Sequence, residues 1–370
     1  MQRNPHSYQI ATGYRTFYSL SLIYQPITKK RLFLVKKRCT YWLYIFSFFL
    51  FCLSFLRWRV GTDWDSYYEI YLHPELYANM ETGFMMINSI GKNYFESYTV
   101  TLFIQGILLF TFQTAAIKRL SPFPMTTLML LWGSNFCGIF FVRQSVSTAI
   151  LLFSIVMIRD RRLLAFLVLV FLAGLIHRSA FAFLPAYWIY QFHFSNRRAV
   201  LAIVCGILIG SIIDFSDYFS SIGSFLGGMY EAKIEGYMSR GADMSFNAGQ
   251  TAAQLYMRSM LGRLLLLLLF VLFIKKKHKI TIGGGMLNLF TFAVVLLPVF
   301  SSVTNTFSRM LTPYMYCQSL LLTLVIFSLS SDVRKFWCFA LFIAMMAVQL
   351  YMKLFVDYGG EAYLPFGTIL

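Results

Sequence analysis

Four stretches keep ionisable side chains where an apolar chain has little reason to hold them. They are Arg59 to Asp65 in "RVGTDWD", Arg143 and Gln144 in "FFVRQS", His177 and Arg178 in "LIHRSA", and Arg309 in "TFSRML". An arginine presents a planar fork that grips a phosphate through two hydrogen bonds. An imidazole suits general-base work near neutral pH, whereas an ordinary carboxylate is a weak base for an alcohol. Gly61 permits a tight turn that brings Asp63 back towards Arg59. Arg309 stands just before a helix whose first turn holds Pro313, so free N–H groups lie beside it. Each signal also has a plainer reading: a surface turn, a snorkelling arginine, a satisfied structural histidine, a helix-end anchor. Their convergence on one face is what points to a site. His177 is favoured as base, with Asp63 as orienting or ligand-binding carboxylate or, in exchanged roles, the base itself.

Positioning these residues falls to a chain built for lipid. It is 58% hydrophobic and only 13% charged, against about 25% in an ordinary soluble domain. Taking about 20 apolar residues per crossing, eleven runs are predicted to span. They are 41–56, 98–117, 125–141, 144–158, 163–177, 179–192, 199–213, 258–274, 286–303, 310–329 and 336–355, of which 144–158 and 179–192 are short. The fold class expected is therefore all-α and polytopic. Residues 1–40 read as a basic cytoplasmic or interfacial segment, 41–356 as the membrane domain, and 357–370 as a tail on the outer side. Two longer outer loops cover 57–97 and 214–257.

Orientation follows from lysine and arginine. With the N-terminus inside, 21 of the 32 basic residues fall on inner segments, accompanied only by Asp160 and Asp332. The remaining 13 acids lie outside, and so do all four polar stretches. The net charge of +17 is then a topology signal and not a nucleic-acid footprint. The six cysteines, Cys39, Cys52, Cys137, Cys205, Cys317 and Cys338, are scattered without metal-ligand or disulfide spacing. No Walker-type loop, H-E-x-x-H or serine elbow occurs, so neither ATP nor a resident metal or other cofactor is expected. Asp63 and Asp65 are the one pair with a claim on a hard cation.

Five segments together resemble the EpsG family of Wzy-like bacterial polysaccharide polymerases. They are "RVGTDWDSYY" at 59–68, "ETGFMMIN" at 81–88, "FVRQSVSTAI" at 141–150, "HRSAFAFLP" at 177–185 and "SRMLTPY" at 308–314, in the family's order. The family usually has a further span before its basic cluster, where residues 1–40 here are polar. The resemblance implies a glycosyltransferase of the bacterial cell inner membrane acting at its periplasmic face. Such an enzyme moves a glycan from undecaprenyl pyrophosphate onto the next lipid-linked repeat unit. His177, Asp63, Arg143 and Arg309 would be catalytic, and Arg59, Asp65, Tyr68, Glu81, Gln144, Arg178 and Tyr314 would bind substrate. Membrane lipid and lipid-linked oligosaccharides are the expected partners, with room for a chain-length regulator and a flippase and none for nucleic acid. An O-antigen ligase shares the donor. A lipid-linked oligosaccharide transporter would spread charge through the midplane, and a membrane acyltransferase would face a cytoplasmic donor.

Overall fold

The computed structural model describes residues 29–77, 79–192, 196–212, 221, 252–274, 282–303, 307–329, 331–356 and 361–369. Among them every regular element is a helix, and the one extended pairing is a lone antiparallel bridge between Arg57 and Thr368. Most of the loop expected at 214–257, the basic run 275–279 and residues 1–28 lie outside the described residues.

Five segments are long and apolar enough to cross a membrane: Tyr98–Leu120, Val142–Arg159, Ile282–Phe300, Ser308–Ser328 and Asp332–Phe355. Shorter apolar helices cover Cys39–Phe55, Leu163–Ile176, Val200–Ile209 and Met260–Phe273. In chain order we label α1 Lys29–Phe55, α2 Trp64–Leu72, α3 Thr82–Asn93, α4 Tyr98–Leu120, α5 Pro124–Asn135, α6 Val142–Arg159 and α7 Leu163–Ile176. The protein is thus a multi-pass membrane protein. Only 11% of the Asp332–Phe355 window is buried, and α1 leaves Trp42, Phe48 and Phe49 exposed. Such faces require lipid as their solvent.

Three of the predicted runs differ from simple single crossings of the expected length. The run 144–158 looked short but is one unbroken helix, because it starts at Val142 and extends to Arg159. The run 125–141 instead breaks at Asn135 into a 3-10 turn, Phe136–Phe140, where "GSN" and Gly138 weaken the helix. The run 179–192 is also broken, into a 3-10 segment Arg178–Phe183 and a single turn Ala186–Ile189. Pro185 between them lacks the N–H that would continue the ladder.

The 14 residues of α7 rise about 21 Å, shorter than a hydrocarbon core of about 30 Å, and His177 follows at its end. Residues 57–97, expected as a loop, fold as α2 and α3 around a 3-10 turn, Pro74–Tyr77. Their own small core of Trp64, Ile70, Tyr71 and Phe84 packs on Tyr98 and Leu102 of α4 and on Val142 of α6. At the same end, residues 361–369 return to the chain just past α1. Trp58 donates its N–H to Gly367, Gly61 to Ala362, and Ile369 to Leu56.

Candidate functional site

Glu81, the residue before α3, is 7% exposed and is the common partner of the site's side chains. Three elements converge on it. From the first turn of α6, Arg143 donates through Nη1 to Glu81 Oε2 at 2.7 Å. From the end of α7, His177 Nδ1 lies 3.5 Å from Glu81 Oε1, outside hydrogen-bonding geometry. From the 3-10 segment that follows, the Arg178 N–H donates to the same Oε1 at 3.3 Å. Burial alone would raise the Glu81 carboxyl. The His177 imidazole, the Arg143 charge and the N–H groups of Glu81 and Arg178 outweigh it and hold the carboxyl well below the usual carboxylate range.

The sequence folds this way for local reasons. His177 takes an extended backbone (φ −152°, ψ 113°) that ends α7 and starts the 3-10 segment, so its side chain turns off the helix axis. Gly83 lets α3 lie against the backbone of α7: a Cβ there would stand 2.9 Å from the Leu175 carbonyl oxygen. Arg143 is flanked by the rings of Tyr67 and Phe84, 5.2 and 5.4 Å from their centroids. Its Nε donates to the Tyr67 hydroxyl at 3.0 Å, and Nη1 also meets the Met80 sulfur at 3.1 Å. With Nε and Nη1 engaged, the two-pronged phosphate grip expected of Arg143 is largely taken up inside the protein.

Other residues named from sequence fall around this centre. Arg178 reaches the Asn79 carbonyl with Nη2 at 3.2 Å, while its Nη1 is buried with no hydrogen-bond partner among the described residues. Arg309 is exposed on the 3-10 turn Phe307–Leu311, which packs against the Arg178–Phe183 segment. Gln144 donates to Thr312 Oγ1 at 3.3 Å and ties the start of α6 to that region. Tyr314 is 1% exposed, and its hydroxyl donates to the Ala182 carbonyl at 2.8 Å. Its ring packs against Phe183 and Phe292.

The "RVGTDWD" turn is arranged differently from expectation. Gly61 does adopt a left-handed backbone, φ 113°, but the cation folded inward is Arg57. Arg57 is 2% exposed, donates through Nη1 to the Val60 carbonyl, and lies over the rings of Trp64 and Phe140. Burial pulls its guanidinium down to about 10, still charged at neutral pH. Arg59 is exposed and makes no ion pair with Asp63, because Gly61 turns the chain towards Arg57 instead. Asp63 is half-buried at the start of α2, with no side-chain bond capping the helix. The carboxylate that reaches His177 is Glu81, not Asp63. Asp65 is exposed in the first turn of α2. Tyr68 is stacked into an aromatic group with Trp58, Trp64, Tyr71 and Tyr98.

Sequence reasoning missed Tyr67 and Arg57. Trp64, Tyr67, Tyr68 and Tyr71 stand three and four apart on one aromatic face of α2, and that periodicity was the available signal for an inward-facing Tyr67. Among the described residues, no three His, Cys, Asp or Glu side chains gather as a metal site would require.

The arrangement offers one carboxylate held ionised, one imidazole with an open nitrogen, and cations at graded exposure. That set can take a proton from an alcohol and stabilise a departing anion. No curated protein and no solved structure matches the chain. The EpsG family model matches residues 40–367, which takes in Glu81, Arg143, His177 and Arg309 alike, and the chain belongs to the EpsG family, a family of Wzy-like polysaccharide polymerases.

Proposed function

We propose that the protein is a polysaccharide polymerase working at the periplasmic face of the bacterial inner membrane. It transfers a growing glycan from undecaprenyl pyrophosphate to the next lipid-linked repeat unit, in O-antigen or another surface polysaccharide. In the transfer, an acceptor hydroxyl oxygen bonds to the anomeric carbon of the donor sugar. The bond from that carbon to the phosphate oxygen breaks, and the lipid pyrophosphate leaves with the electron pair. His177 receives the hydroxyl proton through its unburied nitrogen. Arg178 and Arg309, less engaged than Arg143, are the cations for the leaving pyrophosphate. The exposed Asp65, Arg59 and Trp58 are the side chains at the start of α2 left for a sugar chain to meet.

The observation that supports this reading most is the meeting of Glu81, Arg143, His177 and Arg178. Residues from three separate family segments form one buried polar centre beside exposed cations. Deleting the gene and examining surface polysaccharide tests it. A polymerase leaves single repeats on their acceptor and no long chains. Loss of every repeat would point to the ligase or the transporter instead.

A further inference from the structure

We propose that Glu81 is a positioning residue that holds His177 with its proton on Nδ1, so that Nε2 is the nitrogen that accepts the substrate proton. The inference rests on the polymerase reading for its catalytic consequence, though not for its geometry.

His177 Nδ1 is buried, and its ion-pair contact among the described residues is Glu81 Oε1 at 3.5 Å. A neutral imidazole carries one N–H, and the nitrogen turned to an ionised carboxylate is the one that bears it, since two acceptors repel. Nε2 makes no hydrogen bond among the described residues, and the side chain is 25% exposed, so this nitrogen is open to an incoming hydroxyl. The contact is longer than a mature hydrogen bond, as such contacts often are before substrate binds.

Glu81 cannot easily turn away. Oε2 is held by Arg143, Oε1 also accepts the Arg178 N–H, and Gly83 brings α3 within contact of the α7 backbone two residues before His177. Arg143 is itself fixed by Tyr67, through Nε and ring stacking. When the acceptor hydroxyl gives its proton to Nε2, the imidazolium formed faces a carboxylate that stays ionised. The positive charge is then stabilised without a second proton transfer.

Two measurements on the purified full-length protein test this. The chain has five histidines, so selective 15N-histidine labelling can resolve the His177 tautomer by comparison with His177→Ala. The expected signature is an Nδ1–H imidazole in the wild type that is lost in Glu81→Gln. An Nε2–H tautomer in the wild type overturns the proposal, whatever reaction the protein catalyses. The second measurement is turnover of the lipid-pyrophosphate-linked repeat unit that accumulates in cells lacking this gene. Glu81→Gln should lower kcat by about 10²-fold with donor KM unchanged, and should cost nothing further in a His177→Ala background. An equal fold-loss in both backgrounds means Glu81 serves structure alone. If the wild type makes no polymer, the polymerase reading fails while the tautomer result still decides the geometry. Should Glu81→Gln fail to accumulate, the wild-type tautomer remains decisive.

Discussion

Replacing Gly83 with alanine should loosen the Glu81–His177 contact without touching either residue. The added Cβ would stand 2.9 Å from the Leu175 carbonyl oxygen and 3.0 Å from Leu175 Cβ. Ordinary carbon contacts need about 3.5 Å, so α3 and the end of α7 must separate by roughly 0.5 Å. The oxygen belongs to backbone and cannot swing aside. Glu81 is two residues from Gly83 and His177 two from Leu175, so the separation passes almost undiminished to their 3.5 Å contact. Overpacking of this kind costs about 1–3 kcal/mol, offset by at most about 1 kcal/mol of helix propensity gained over glycine. The net expectation is a protein destabilised by about 0–2 kcal/mol whose turnover falls at least about tenfold. Thermal melting in detergent and polymerisation by the purified variant measure the two. A Gly83→Ala protein that melts higher than wild type and polymerises at the wild-type rate would refute the claim that this close approach sets the site.

Arg143→Lys keeps the charge but cannot bond Tyr67 and Glu81 together or lie flat between Tyr67 and Phe84. It should lower turnover by at least about tenfold, and normal polymer from a stably expressed variant would reduce Arg143 to an anchor. Arg309→Ala, at an exposed position, should leave the unfolding free energy within about 0.5 kcal/mol of wild type while raising donor KM; unchanged kinetics would remove Arg309 from the donor site. Because the Glu81 pKa is depressed in the folded state, its stabilisation is complete above the ordinary glutamate value of about 4.3 and is lost only as pH falls below that. The stability gap between wild type and Glu81→Gln should not shrink from pH 8 to about 5 and should close in stronger acid; a gap that shrinks between pH 8 and 5 contradicts the depressed pKa. Cysteine introduced at Asn79 should label from the periplasm and at Lys277 from the cytoplasm, and outside labelling of Lys277 would invert the assignment.

The helical, membrane-spanning character was legible because hydrophobic runs and basic clusters are local properties of the chain. Proline and glycine also marked the breaks, with Pro185 ending a helix where the sequence suggested a short one. The partners within the site were not legible. Glu81 meets Arg143 across 62 residues and the Arg178 N–H across 97, and nothing in a single sequence fixes such distances. The turn at Gly61 was foreseen, but which arginine it folds inward depends on the rings of Trp64 and Phe140 that receive it. Asp63 sits in a more conspicuous motif than Glu81, and its prominence drew the orienting role that geometry gives to Glu81.

The return of residues 361–369 to the segment after α1 bears on the order in which the molecule is built. The bridge joins Arg57 to Thr368, some three hundred positions apart, a distance the ribosome covers in roughly 15–60 seconds. Throughout that interval the backbone at Leu56, Trp58 and Gly61 lacks its later hydrogen-bond partners, and Phe140 lacks the rings of Tyr363 and Phe366 that come to cover it. The segment between α1 and α2 therefore acquires its last backbone partners only when residues 361–369 arrive, so a nascent chain stalled before residue 361 leaves Leu56, Trp58 and Gly61 without them.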